Sequence, residues 1–426
     1  MPAATPSVTR CHGHHLPSDA QRLRVLVFLL AGSTILTSCA GLRSRAPGGT
    51  ATLPAHIEAL RASGQVDSVV APLQVAEGAL AYTLVQNARP WRSSVLELDL
   101  RCVALQASKG AETAVGRRTT SALLAAQPAA ARAIAAINAD FFLFAPPGVP
   151  TNAHIEHGRV LAGPDSKPVL WVDGKGAVHM DTLRTRGLLR TPSGSLALNA
   201  WNRPALRSMG IVDARWGVPL DTAVRRRVYR LNPVGTPDDG PATRRGRYVL
   251  ARGTARDTLV FGDTLLLHVA PQTTWAVQVG DTLSLDIGLQ RLRDSVPAGV
   301  MHAVAGRPIL LRDSTLTADV HSEGNAGFRG PNPRSAFGLS RDGRRAWLVV
   351  IDGRQPTRSV GTSLEQTGTL LRLLGASTAI NLDGGGSSAL VVRDPETGAG
   401  QLRNRPSDPS ERPVGNALVV TSRCGR

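Results

Sequence analysis

Thr378-Ala-Ile-Asn-Leu-Asp-Gly-Gly-Gly-Ser-Ser-Ala-Leu-Val-Val392 runs from an apolar strand into Asn381 and Asp383, then through three glycines and two serines into a second apolar run. A carboxylate at a strand end, followed by backbone without Cβ atoms and by two hydroxyls, suits a sugar or a phosphate. Amide N–H groups in such a loop can point at an anion unobstructed. The same pattern also serves as a plain glycine-rich connection. The neighbouring segments decide between the two.

Upstream, Ser335-Ala-Phe-Gly-Leu-Ser340 and Arg345-Ala-Trp-Leu-Val-Val-Ile351 flank Asp342-Gly343, a hairpin signal. Thr362-x-x-Glu365 and Ser363-x-x-Gln366 are overlapping capping boxes. Leu364, Leu371 and Leu374 then share a helical face, and Gly375 ends it. A strand from Ser377 to Leu382 follows, so the order is hairpin, helix, strand. If the two strands joined by the helix run parallel, the connection is a right-handed crossover. Asp352 and Asp383, each directly after its strand, then reach one sheet edge, where open α/β sheets place ligands.

The hairpin register sets Arg334 almost opposite Ile351, beside Asp352. One edge thus gathers Arg334, Asp352, Arg354, Asp383 and the loop of Gly384, Gly385, Gly386, Ser387 and Ser388. Singly, each has a plainer role: Asp352 as a turn cap, Arg334 as its partner, Asp383 as an Asx-turn former. Together they point to a site. His154, in Asn152-Ala-His-Ile-Glu156, is a lone histidine and reads as structural or surface. The chain carries no Cys–His cluster at zinc spacing, no Gly-x-Ser-x-Gly elbow and no nucleotide-type phosphate loop.

The length of 426 residues allows one large domain or two ordinary ones, and 42% hydrophobic content supports a sizeable core. Net charge is +17, yet all but three of the cations are arginine, scattered along the chain, and aromatics make up only 4%. Base-stacking platforms are poorly supplied, and no nucleic-acid partner is expected. The arginine excess reads as compositional bias, with attraction to anionic envelope polymers as the other explanation.

Arg22 and Arg24 precede the apolar run from Val25 to Leu36, and Leu36-Thr-Ser-Cys39 looks like a bacterial lipobox. The run is too short to span a bilayer comfortably, so residues 1–39 read as a lipoprotein signal peptide with lipid on Cys39. Residues 40–75 read as a tether rich in Gly, Pro, Ala and Arg, and residues 76–424 as the domain. The expected location is exported and lipid-anchored in the cell envelope, with the membrane met only through the anchor. Cys102 and Cys424 remain; they either form a disulfide in that oxidising compartment or stand as separate thiols.

Strand signals dominate the domain. Ser94 to Leu105 alternates like a half-buried strand, and a short helix is expected from Ser121 to Ala135. Gly262-Asp-Thr-Leu-Leu-Leu267 and Gly280-Asp-Thr-Leu-Ser-Leu285 echo one another as turn-then-strand units.

Asn381-Leu-Asp-Gly-Gly-Gly-Ser-Ser388 resembles the signature of the phosphodiester glycosidase family. Ala136-Ile-Asn-Ala-Asp-Phe-Phe142, Pro333-Arg-Ser-Ala-Phe-Gly338, Val350-Ile-Asp-Gly-Arg-Gln355 and Thr362-Ser-Leu resemble its other blocks in order. Asn404-Arg-Pro-Ser-Asp408 with Glu411-Arg-Pro-Val-Gly-Asn-Ala417 resembles its closing block. The resemblance covers roughly Leu80 to Val420 and is loose between about 180 and 300. It implies an α+β domain, here a β-rich mixed sheet with a C-terminal hairpin–helix–strand unit. It also implies hydrolysis of a sugar 1-phosphodiester. In that reading Asp383 or Asp352 is nucleophile or base, and Arg334 and Arg354 hold the phosphate. Asn138, Gly384, Gly385, Gly386, Ser387, Ser388, Asn404 and Arg405 complete the expected substrate site. No cofactor is required; Ca²⁺ or Mg²⁺ held by the aspartates is the alternative to direct carboxylate chemistry. The competing reading is a non-catalytic, lipid-anchored envelope protein that binds polysaccharide.

Overall fold

Arg334–Leu339 and Arg345–Ile351 pair antiparallel about the Asp342-Gly343 turn, with Arg334 opposite Ile351. The computed structural model describes residues 51–424, apart from 205–208, 221–226, 254–258, 272, 275 and 296–298. The turn needs its glycine, since Gly343 sits at φ 68°. The helix follows as Leu364–Leu374, capped by the reciprocal Ser363–Gln366 pair and ended by Gly375 in the left-handed region. Leu364, Leu371 and Leu374 are buried on one face.

Thr378–Asn381 pairs antiparallel with the other side of Arg334–Leu339. The strands before and after the helix therefore run parallel, with the first hairpin strand between them. Both aspartate-bearing ends reach one sheet edge, beside Arg334.

Among the described residues the fold is β-rich α+β, with 47% strand and 11% helix. An eight-stranded sheet runs in the order Ser68–Ala76, Ala79–Gln86, Trp91–Asp99, Arg345–Ile351, Arg334–Leu339, Thr378–Asn381, Ile309–Arg312, Thr315–Leu316. One of its faces carries Leu96, Leu98, Phe337, Leu348 and Ile380. These pack against Leu105, Ile137, Leu390 and Leu418 of a five-stranded sheet. That second sheet runs Gly400–Leu402, Leu390–Arg393, Ala133–Asn138, Ala417–Ser422, Val103–Ser108. The opposite face carries Leu84, Val95, Trp347 and Val349 under the helices Ala55–Ala62 and Leu364–Leu374. Each such fully buried side chain contributes roughly 1.5–3 kcal/mol. A twelve-stranded sheet has its own core and holds one parallel pair, Ala200–Trp201 with Gly210–Val212. Both turn-then-strand echoes lie there, at Leu265–Val269 and Thr282–Arg291.

Three expectations need correction. Residues 55–75 are part of the folded body, not tether: Ile57 and Leu60 of the first helix are buried against the eight-stranded sheet, and Ser68–Ala76 is its edge strand. The expected helix from Ser121 to Ala135 stops at Ala125, because Pro128 cannot continue it, and Ala133–Asn138 is a strand. The run from Ser94 to Leu105 is two strands in different sheets, broken by a turn at Leu100 to Cys102. The leader, Cys39 and residues 40–50 of the expected tether lie outside the described residues. No helix among the described residues is long and apolar enough to cross a membrane.

Cys102 and Cys424 form a disulfide with Cα atoms 4.8 Å apart. It joins the start of Val103–Ser108 to the end of Ala417–Ser422, which pair antiparallel. Closing so long a loop should contribute about 2–5 kcal/mol. We expect Cys102→Ser with Cys424→Ser to lower unfolding free energy by that amount in urea titration; an unchanged midpoint would contradict it.

Candidate active site

The site begins where the two central sheets meet. Ala133–Asn138 ends at Asn138, whose side chain is fully buried. Its Nδ2 donates to the Asp383 carbonyl at 2.6 Å, and its Oδ1 accepts from Ser335 Oγ at 2.6 Å and from the Ala389 N–H at 3.1 Å. Asp383 N–H donates to the Ala139 carbonyl at 2.8 Å. The Asp383 backbone is thereby held from both sides, and its half-buried carboxylate faces a cavity of about 290 Å³.

Asp383 is the sole carboxylate among the lining residues; the charged side chains around it are Arg334, Arg354 and Arg412. Arg412 is set by Asp408, which accepts from its Nε at 2.8 Å and lies 2.7 Å from its Nη2. Gly386 lies against that pair, and a Cβ there would run into both partners. Arg354 is exposed, has φ 59° and donates to Asn332 Oδ1 at 3.2 Å. Arg334 is buried and already committed. Its Nε donates to the Thr362 carbonyl, and its Nη2 to those of Phe328 and Gly330. It ties down the short segment carrying Gly327 and Phe328 over the cavity. Phe328 and Phe141 face one another with ring centroids 6.1 Å apart, and Arg307 lies over both rings.

Burial lifts the Asp383 carboxyl to about 6, against the pull of Ser387, the Gly384 N–H, Arg412 and Arg307. Asp140, 3% exposed, is lifted to about 7, first by burial and further by Asp383; the Asn152 N–H and Arg203 oppose the rise. Arg334 is pulled down to about 10 by burial and by Arg354, so it stays protonated at neutral pH.

Several expected members lie elsewhere. Asp352 is 3% exposed and does not line the cavity. It accepts from the Arg405 N–H at 2.9 Å and from Arg358 at 3.4 Å, fastening the closing block to the hairpin. Asn404 braces the glycine loop: its Oδ1 accepts from the Leu390 N–H and its Nδ2 donates to the Ser388 carbonyl. Ser387 and Ser388 are buried; the Ser387 hydroxyl lies beside the Asp383 carboxylate, and that of Ser388 has no partner in hydrogen-bond range. The Gly385 N–H is spent on the Pro333 carbonyl at 2.9 Å. Asp140, Phe141, Phe328 and Arg412 were not singled out from the sequence. Asp140, Phe141 and Arg412 stand inside quoted blocks, whereas Phe328 carries no signal.

A divalent cation finds a poor donor set here, one carboxylate among three guanidinium groups. Among the described residues, the three-ligand grouping is Glu77 with the disulfide cysteines, far from a hard oxygen site. A larger groove of about 830 Å³ lies behind the Pro331 and Thr362 wall, with Arg89 and Glu365 as its charged lining.

The glycine loop, the arginines and the closing block all fall in one stretch of chain. Residues 239–421 match the phosphodiester glycosidase family. Asn138, Asp140 and Phe141 lie upstream of the matched stretch, and of the three Phe141 lines the cavity. The chain is similar to a hypothetical protein from Synechocystis, with TM-score 0.64 and 20% identity over 83% of this chain; it spans 63% of that protein's length. It is also similar to a protein named as exported from Burkholderia pseudomallei, with TM-score 0.57 and 24% identity over 78% of this chain and 74% of that one. At these identities the likeness is one of fold. The catalytic domain of zebrafish N-acetylglucosamine-1-phosphodiester alpha-N-acetylglucosaminidase, auto-inhibited by its pro-peptide, aligns with TM-score 0.43 and 14% identity over 84% of this chain and 83% of that one. No curated protein matches the sequence.

Gly386→Ala tests whether Arg412 holds an anion. The added methyl displaces the Asp408–Arg412 pair, so inorganic phosphate should bind about tenfold more weakly by calorimetry with the far-UV spectrum unchanged. Equal affinity would remove Arg412 from the anion site.

Proposed function

We propose that the protein hydrolyses the glycosidic bond of a sugar 1-phosphodiester in the bacterial cell envelope, anchored there by lipid on Cys39. The observation that carries this reading is a lone carboxylate, Asp383, lining a cavity with three arginines. Such a set suits an anion bonded to a centre that must be attacked. The leader, the lipobox and a disulfide suited to an oxidising compartment support the location.

A phosphodiester in this cavity sets its charged oxygens against Arg354 and Arg412. Its sugar then meets the apolar wall of Phe141 and Phe328. Asn381 Oδ1, buried with no partner, is an acceptor for a sugar hydroxyl. Electrons reach C1 from a water that Asp383 deprotonates, or from Asp383 itself, in which case a water then releases the sugar from the aspartyl ester. The C1–O bond breaks, and its electron pair leaves on the phosphate monoester. That leaving group needs no protonation, only neutralisation by the guanidinium groups.

Asp383 must be ionised, so kcat/KM on a sugar 1-phosphodiester should rise through about pH 6. The linkage has the opposite sign for stability. A carboxyl raised in the fold favours its proton there, so stability falls as pH climbs from the usual carboxylate value towards about 6. Asp383→Asn should therefore lose on the order of 10³-fold or more in turnover yet melt higher than the parent at pH 8. Asp352→Asn should keep turnover within about tenfold while losing about 1–3 kcal/mol of stability. Parent-rate turnover by Asp383→Asn would sink the mechanism. Glycan binding by a parent protein without turnover would leave the polysaccharide-binding reading in its place.

A further inference from the structure

His154, set aside as a lone histidine, is fully buried and connected to the site. Its Nδ1 lies 3.1 Å from Asn416 Nδ2, and its Nε2 lies 3.4 Å from Glu156 Oε2. Asn416, also fully buried, accepts the Asp140 N–H on its Oδ1 at 2.8 Å, and its own carbonyl accepts the Ala139 N–H at 3.2 Å. The turn held in this way is Ala139 to Phe141. It supplies the carbonyl that takes the Asp383 N–H, the neighbouring carboxyl of Asp140, and the ring of Phe141 in the cavity wall.

Donor and acceptor roles along this chain are forced. A backbone N–H can only donate, so Asn416 must present Oδ1 to Asp140 and Nδ2 to His154. Nδ1 of His154 must then accept, and the ring proton sits on Nε2, facing Glu156. We propose that His154 and Asn416 are positioning residues that hold the Ala139–Phe141 turn against Asp383, and that they do so only while His154 is the neutral Nε2–H tautomer. A second proton on Nδ1 would face the Asn416 amide hydrogens. Turning that amide would then set its NH₂ against the Asp140 N–H. This inference rests on the proposed reading of the Asp383 site and adds to it a buried support outside the cavity.

The surroundings keep His154 neutral. Burial lowers its tendency to take a proton, and the Lys109 cation adds to this, while Glu156 opposes it. His302 and His157 face the same cluster, and His302 is held down to about 4 by burial and by His157. Lys109 is spent elsewhere: its Nζ donates to the carbonyls of Gly116, Gly148 and Gly415, the last adjoining Asn416. Its backbone N–H donates to Glu156 Oε2 at 3.1 Å, fixing the carboxylate that receives the imidazole.

The test joins ring NMR to kinetics on the full-length protein. In histidine-¹⁵N-labelled parent protein, His154 should show the Nε2–H pattern and no titration between pH 8 and 5. Asn416→Asp keeps the acceptor for the Asp140 N–H but places a second carboxylate on the ring. It should convert His154 to imidazolium, with both ring nitrogens protonated, and a ring that stays neutral there counts against the assigned Nδ1 contact. Asn416→Ala should lower kcat about tenfold or more with KM changed less than twofold, since its contact is with the turn and not the substrate. A parent His154 that titrates near its ordinary value, or carries its proton on Nδ1, overturns the proposal. So does parent-like kcat in Asn416→Ala. The ring measurement needs no turnover, so it decides the proposal if Asn416→Ala fails to fold or no sugar 1-phosphodiester is cleaved.

Discussion

The buried amide of Asn138 fastens three pieces of chain where two sheets converge. Its two polar atoms take the Asp383 carbonyl, the Ser335 hydroxyl and the Ala389 N–H. Each partner comes from a different segment: the hairpin strand, the aspartate that ends the strand after the helix, and the residue that opens the next strand. An amide unpaired at such depth would cost about 1–3 kcal/mol, so the junction holds only when all three are in register. The glycine loop between Asp383 and Ala389 is thus clamped at both ends, and its conformational freedom is spent on letting Arg354 and the Asp408–Arg412 pair come close.

Charge is distributed by the same logic. A chain with net charge +17 has cations to spare, yet the arginine at the heart of the site is a structural one. Arg334 gives its Nε and Nη2 to carbonyls, so the segment over the cavity is held without a hydrophobic core of its own. Arg354 at the mouth and Arg412 on Asp408 remain to meet an anion. Asp383 sits among these cations and still has a raised pKa, because burial outweighs their attraction. Such a carboxylate is costly to the fold and useful to a reaction, the usual trade between stability and activity.

The hairpin, helix and strand were legible because local chemistry fixes each: Asp342-Gly343 for the turn, Ser363 with Gln366 for the helix start, Gly375 for its end. Register and topology then brought Asp352, Asp383 and Arg334 to one edge without any long-range information. What sequence could not supply was which side chains face inward at that edge. Asp352 and Asn404 point into the junction and serve it, a distinction made by burial and not by residue type. Ala133 to Ala135 read as the end of a helix because an alanine-rich stretch satisfies helix propensity, and only pairing with Ala417–Ser422 and Leu390–Arg393 makes Ala133–Asn138 a strand. The first helix reads as tether because two buried residues, Ile57 and Leu60, are too few to show a period. Phe328 lies five residues before the Pro333–Gly338 block, in a stretch without a local signal, and meets Phe141 only through the fold.

Hydrolysis of a sugar 1-phosphodiester in ¹⁸O-labelled water tests the central claim most directly, because it reports which bond breaks. Asp383 acting at the anomeric carbon, with the arginines receiving the departing phosphate, puts the label in the released sugar and leaves the phosphate monoester at natural abundance. Label in the phosphate would mean attack at phosphorus, and the assignment of Asp383 to the sugar carbon would be wrong.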